Sequence, residues 1–324
     1  MNHVARSAHG ETRLGIGLKI ASALCMTLMS TSIKALNGSI PTGEVVFCRS
    51  AFALLPLLIW LAWQGPVRPM LHTKSIGGHV LRGISGSFGM FLNFMTLRYL
   101  PLADSVVLGY AAPMITLILA AVLLGERFRL VRTLGNIIGF SGVLLAAVPK
   151  VIEAHSGGTW STDPAAAHNL TMGLLCGLTG AAFTAFSAVQ IRNLTRTEKS
   201  GAIVFYFSLM TTILGASTIV SGWVMPDAKQ AVLLVACGLL GGIGQILFAE
   251  SLRHASASII APYEYTTLLW STVLSIIIFS QLPGLSTIAG GLLIAASGAL
   301  TLWWESRATR RATRFLDAHR PGAR

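Results

Sequence analysis

Ten runs of mostly apolar residues, each long enough to cross a lipid bilayer as a helix, leave this chain few ways to fold. They lie at approximately 15–35, 43–64, 81–98, 103–124, 131–148, 169–190, 202–223, 229–250, 257–279 and 286–304. A spanning helix needs roughly 20 predominantly apolar residues. The gaps hold breakers such as Asn37-Gly38, Gly65-Pro66, Pro101, Pro226 and Pro283-Gly284. Hydrophobic residues make up 53% of the chain and charged residues 11%, with a mean hydropathy of +0.68. A soluble domain is normally about 25% charged. The expected fold class is an all-α membrane protein with ten transmembrane helices.

The charges that remain fix an orientation. With the N-terminus in the cytoplasm, 18 of the 24 lysines and arginines fall in cytoplasmic segments, Arg82 among them. Lys34, Arg98, Lys150 and Lys229 fall outside, and Lys19 and Arg49 lie within spans. This positive-inside pattern places both termini of a multi-pass protein on the cytoplasmic side of a bacterial inner membrane. It also accounts for the net charge of +12 without a nucleic-acid partner. Residues 305–324 form a basic cytoplasmic tail, an anchor beside anionic lipid. The opening MNHVARSAHGETR runs straight into a helix-length apolar stretch, so the first span is expected to be retained rather than cleaved. Cys25, Cys48, Cys176 and Cys237 sit inside apolar runs with no metal-ligand spacing, and no metal or other cofactor is expected.

The sequence also matches itself. A shift of 155 residues superposes Gly83, Gly86 and Gly89 on Gly238, Gly241 and Gly244, Tyr110 on Tyr265, and Gly135 on Gly290. Lys34-Ala35-Leu36 matches Arg192-Asn193-Leu194 at a shift of 158. Two halves follow, 14–148 and 169–304, each with five spans. Five is odd, so the second half enters the membrane upside down relative to the first. Inverted five-helix repeats are a signature of secondary transporters, whose solute site lies near the midplane at the repeat interface. The glycine rows of the third and eighth spans let helix backbones approach closely, as static packing or as sliding surfaces.

Phe47-Cys48-Arg49-Ser50 opens the second span, and Leu97-Arg98-Tyr99-Leu100-Pro101-Leu102-Ala103-Asp104-Ser105 leads into the fourth. Ala112-Pro113 is followed by Leu124-Gly125-Glu126 at its cytoplasmic end, and Ala261-Pro262-Tyr263-Glu264-Tyr265-Thr266 stands in the second half. These stretches resemble the drug/metabolite transporter superfamily in its ten-span EamA-type branch, over roughly residues 14–304. Gln281 stands where the first half has Glu126, a departure from the acidic residue of the family pattern. The resemblance implies transport of a small organic metabolite. Pro262 through Trp270 looks most like bacterial riboflavin or S-adenosylmethionine importers. Riboflavin uptake is therefore the leading expectation. S-adenosylmethionine or nucleoside-like import, and amino-acid or metabolite export, are the alternatives.

Ionisable groups inside spans are costly, which makes each a candidate site residue. Glu264 lies some eight residues into the ninth span, beside Pro262, whose missing N–H opens the helix ladder. If buried, it is placed to exchange a proton or hold a polar solute group; otherwise it is a structural carboxylate. Arg49 either binds a carboxylate or phosphate-like group, pairs with an acid, or snorkels outward. Lys19 is expected to snorkel. Gln245 and Asn93 are amides inside spans that bond solute or glue helices. Phe91, Tyr110, Tyr263, Tyr265 and Trp270 belong to an aromatic set on which a flat ring would stack, or which packs statically.

An intramembrane enzyme is the distant alternative. The chain has no H-E-x-x-H, no G-x-S-x-G, no mid-span Asp pair and no phosphate-binding loop. The expectation is a transporter working by alternating access around a site lined by spans 1, 3, 4, 6, 8 and 9, with the lipid bilayer and a small solute as partners. Proton coupling, direction of transport and a homodimer are left open by the sequence.

Overall fold

The computed structural model describes residues 2–124, 130–155, 164–255 and 260–318. Among these residues the chain forms helices and short turns, with no strand. The helices are α1 (Asn2–Ala35), α2 (Thr42–Gln64), the short α3 (Val67–Met70), α4 (Ile76–Tyr99), α5 (Leu102–Gly109) and α6 (Ala111–Leu124). They continue with α7 (Leu130–His155), α8 (Pro164–Leu194), α9 (Ser200–Ser217), α10 (Ala228–His254), α11 (Thr266–Phe279) and α12 (Leu285–Ala318). Glu126, Arg127, Arg129, Arg320 and Arg324 lie outside the described residues.

Local chemistry sets the boundaries. Asn37 and Gly38 take left-handed backbone, with φ of 48° and 70°, and turn the chain after α1. Asp227 and Gln230 form a reciprocal capping box that starts α10.

The fourth and ninth expected spans are not continuous helices. The fourth breaks at Tyr110 into α5 and α6. Pro113 has no N–H for the Gly109 carbonyl, and the Tyr110 N–H turns instead to Val107 at 3.2 Å. In the ninth, Ala261–Tyr265 form a 3₁₀ turn, and α11 follows it from Thr266. Glu264 therefore sits on a 3₁₀ turn rather than inside an α-helical span.

Among the described residues, six stretches are long and apolar enough to cross a membrane: Glu11–Ala35, Thr42–Gln64, Leu102–Leu123, Ala167–Leu194, Ser200–Ser221 and Ala228–His254. Thr133–Pro149, Tyr263–Phe279 and Leu285–Thr301 are shorter apolar helices. The expected third span lies in α4, which has the length but not the hydropathy, because glycines, serines, Asn93, His79, Arg82 and Arg98 interrupt it. Apolar side chains cover the outside of the bundle. Val122 is 73% exposed and Ile277 71%, a surface suited to lipid rather than water. The protein is a multi-pass membrane protein.

The main packing partners are α1 with α10, α4 with α8, and α7 with α12. The α2 helix lies against α9 and α10, and α4 also touches α9. Glycines set these distances. A Cβ on Gly244 would press on Met26 and Cys25 of α1, and one on Gly89 on Thr184 of α8. Buried side chains form two clusters. Val107, Tyr110, Met114, Val143 and Ile294 centre one, and Met29, Phe94, Leu97, Leu102 and Cys237 the other.

Candidate functional site

A cavity of about 470 Å³ opens between α1, α2, α4, α5, α8, α9 and α10. Met26, Met29 and Met90 give it soft apolar walls, and Phe94 and Phe207 are its aromatic lining. Ser30, Asn93, Ser105, Thr184 and Gln245 add polar groups. Volume and lining suit a metabolite-sized organic molecule.

Two guanidinium groups, Arg49 on α2 and Arg82 on α4, face this space. Arg49 is only 3% exposed, and its Nε and Nη1 have no hydrogen-bond partner. The Nε of Arg82 is likewise buried without a partner, while its guanidinium carbon lies 3.9 Å from the Phe207 ring centroid. A Cβ on Gly241 would come 3.1 Å from Arg49 Nε. A Cβ on Gly86 would overlap Arg82 and Phe207. These two glycines, 155 residues apart, each leave the room that one arginine occupies.

A second cluster joins α1, α10 and the 3₁₀ turn. Lys19, 4% exposed, forms an ion pair with Glu264 and rests 4.1 Å from the centre of the Phe248 ring. Glu264 is not buried: its side chain is 52% exposed. The snorkelling expected of Lys19 is corrected by this pair, since its side chain is buried and its ammonium meets a carboxylate instead of reaching out to the surface. The Tyr110 hydroxyl donates to the Glu264 carbonyl at 3.0 Å, and the Tyr110 and Tyr265 rings stack.

Among the expected site residues, Arg49, Asn93 and Gln245 line the cavity, and Asn93 donates to Thr184 at 3.2 Å. Phe91 packs into an apolar cluster instead. Tyr110, Tyr263, Tyr265, Glu264 and Trp270 are not on the cavity wall. The aromatic set expected to hold a flat ring is therefore not assembled around the cavity. Tyr110 and Tyr265 stack on each other at the junctions of broken helices, and the Trp270 Nε1 is buried without a partner on α11. The walls come from spans 1, 2, 3, 4, 6, 7 and 8. Spans 2 and 7 join the expected lining, and no described residue of span 9 lies on it.

Arg82 escaped the sequence reading because its charge assigned it to a cytoplasmic segment. Its place one turn before Gly86, within the glycine row, was the available signal. Phe207 and the methionines carried no signal beyond apolarity.

On the cytoplasmic side expected from the charge pattern, Glu198 closes a small polar lock. Its carboxylate accepts the N–H groups of Lys74 at 2.7 Å and Ser75 at 3.0 Å at the start of α4, and lies 3.9 Å from His79 Nε2. Desolvation pushes the pKa of Glu198 up. The Lys74 N–H, the Thr73 hydroxyl, the Ser75 N–H and His79 outweigh it and hold the carboxyl below its ordinary value.

Comparison with known proteins places this architecture. The EamA-like transporter family matches residues 13–148 and again 171–303. The chain belongs to that family. This EamA-like protein, of the drug/metabolite transporter superfamily, is similar to the pseudopaline exporter CntI of Pseudomonas aeruginosa, 25% identical over 87% of this chain and 94% of the relative. It is also similar to the S-adenosylmethionine uptake transporter of Rickettsia bellii, 24% identical over 91% of this chain and 95% of the relative. A solved crystal structure superposes with a TM-score of 0.63 at 18% identity, covering 91% of this chain and 98% of that one, a likeness of fold. None of these relatives is named for riboflavin.

Proposed function

We propose that this protein is a secondary transporter of a small organic metabolite in a bacterial inner membrane, with ten spans in two inverted repeats and both termini cytoplasmic. The observation that carries the reading is the cavity, walled by helices of both halves of the chain. Exchange of the two halves leaves the packing pattern in place: α1 with α10 becomes α8 with α4, and α2 with α10 becomes α9 with α4. The broken helices also correspond, at Tyr110 and Tyr265. Inverted repeats with interrupted helices in matching positions are how such transporters expose one site to each side in turn.

Among solutes, S-adenosylmethionine import and metabolite export draw support from the names of the relatives. Riboflavin does not, and the cavity supplies a mixed methionine, arginine and amide wall rather than a stacking platform. Proton coupling through Glu264 now includes Lys19, since moving a proton onto the carboxylate would break their ion pair.

Proteoliposomes loaded with a mixture of bacterial metabolites, riboflavin and S-adenosylmethionine test the reading. Protein-dependent efflux of at least one solute is expected. Leakage identical to protein-free liposomes for every solute contradicts it.

A further inference from the structure

We propose that the solute carries two acid groups, one bound by Arg49 and the other by Arg82. The inference rests on the cavity being the transport site and names the class of molecule that site takes.

A guanidinium keeps its charge at any pH a cell meets. Burying one without a counter-charge is costly, and the usual remedy is a paired acid or a full set of acceptors. Neither remedy is present here. Among the described residues, no aspartate or glutamate lines the cavity. Three of the guanidinium nitrogens, Nε and Nη1 of Arg49 and Nε of Arg82, are buried without an acceptor. Phe207 offers the Arg82 group a ring face, which supplies no lone pair in the plane of its N–H donors. Other acids of the bundle are committed elsewhere: Glu264 to Lys19, Glu198 to the start of α4, Glu44 to the Val224 N–H at 3.1 Å, and Asp104 to the Thr287 hydroxyl at 2.6 Å.

The space for both arginines is built into the helices, because Gly86 and Gly241 each lack the Cβ that would displace one of them. Planar forks of donors match carboxylate and phosphate oxygens. With Asn93, Ser105, Gln245 and methionines on the same walls, the cavity fits a dianion whose acid groups flank a short polar or apolar body. The same two charges repel a net cation, which sets S-adenosylmethionine against this site.

The test uses the full chain in lipid nanodiscs at low ionic strength, where the charges are least screened. Thermal unfolding is followed with succinate, citrate, ethane-1,2-diphosphonate, succinamide and S-adenosylmethionine, with chloride matching ionic strength. Succinate and citrate, or ethane-1,2-diphosphonate, are expected to raise the melting temperature, and the comparison tells carboxylate from phosphate-like groups. Apparent affinity is expected to fall at least tenfold in R49Q and in R82Q, with part recovered in R49K and R82K. Unliganded R49Q is expected to melt no lower than the unsubstituted protein, since it loses an uncompensated charge.

The proposal is overturned by any of three results. These are no stabilisation by any dianion, stabilisation that survives in both glutamine variants, or equal stabilisation by succinamide or S-adenosylmethionine. Should a variant fail to fold, the succinate-against-succinamide comparison on the unsubstituted protein decides alone. Flux in proteoliposomes is read separately. Dianion binding without any flux rejects the transporter reading, and flux of cations unchanged in R49Q and R82Q rejects this proposal alone.

Discussion

Tyr110 stacks on Tyr265 with ring centroids 5.5 Å apart and planes 22° from parallel, and its hydroxyl donates to the backbone carbonyl of Glu264. The two residues occupy matching positions 155 apart, each at the point where its helix is interrupted. The stack fastens one interruption to the other.

The first prediction concerns that fastening. In Y110F, loss of the hydroxyl bond to Glu264 costs about 1 kcal/mol. A double-mutant cycle of Y110A and Y265A is expected to return about 0.5–1.5 kcal/mol of coupling from the ring contact. Denaturation in detergent, with each single variant and the pair, measures both. A coupling near zero would mean that the rings are only neighbours.

The second prediction concerns the ion pair of Lys19 and Glu264. Either K19Q or E264Q leaves the opposite charge without its partner, and flux is expected to drop at least tenfold. The swapped pair K19E/E264K restores the attraction and is expected to recover part of it. If Glu264 also carries the coupling proton, E264Q abolishes the pH dependence of flux. Unchanged pH dependence in E264Q removes Glu264 from that role.

The third prediction is a pH effect on stability at Glu198. Its folded-state pKa is held below the ordinary 4.5, so the ionised carboxylate stabilises the fold. That contribution is full above the ordinary value and fades as pH falls below it. As a helix-start acceptor of two backbone N–H groups, the side chain contributes about 1–2 kcal/mol. E198Q is expected to melt below the unsubstituted protein at neutral pH, and the two curves to converge in acid. A constant gap at every pH would assign the effect to packing.

The fourth prediction tests close packing of α7 and α12. A Cβ on Gly290 would meet the Gly142 carbonyl oxygen, and a Cβ on Gly142 would come 2.6 Å from the Gly290 carbonyl oxygen. Backbone cannot swing aside as a side chain can, so G142A and G290A are each expected to cost about 1–3 kcal/mol. By contrast, G77A meets nothing within 4 Å and serves as the control. Equal stability of all three variants would contradict this packing.

Much of the helix plan was legible because a bilayer demands long apolar runs, and α1, α2, α8, α9 and α10 follow them closely. The repeat in glycines and tyrosines was legible because it uses residue identity at a fixed offset. The interruptions at Tyr110 and before Thr266 were harder to read. Pro113 and Pro262 pointed to them, but hydropathy stays high through the first, and the polar run Pro262–Thr266 at the second reads equally as a site within a span. The site was legible only in part. Arg49, Asn93 and Gln245 stood out as polar residues in apolar surroundings, whereas Arg82 sat at a span end where a charge is ordinary. Its inward direction depends on Gly86 and on the Phe207 ring of a helix more than a hundred residues away, a tertiary contact that no local pattern encodes.

The most direct test of alternating access is chemical labelling of Ala188→Cys, on the cavity wall, in a protein whose four native cysteines are replaced. A membrane-impermeant maleimide is applied to right-side-out and to everted vesicles. The account predicts labelling from both sides, through one cavity that opens to each in turn. Labelling from one side only, at every time and temperature, would contradict it.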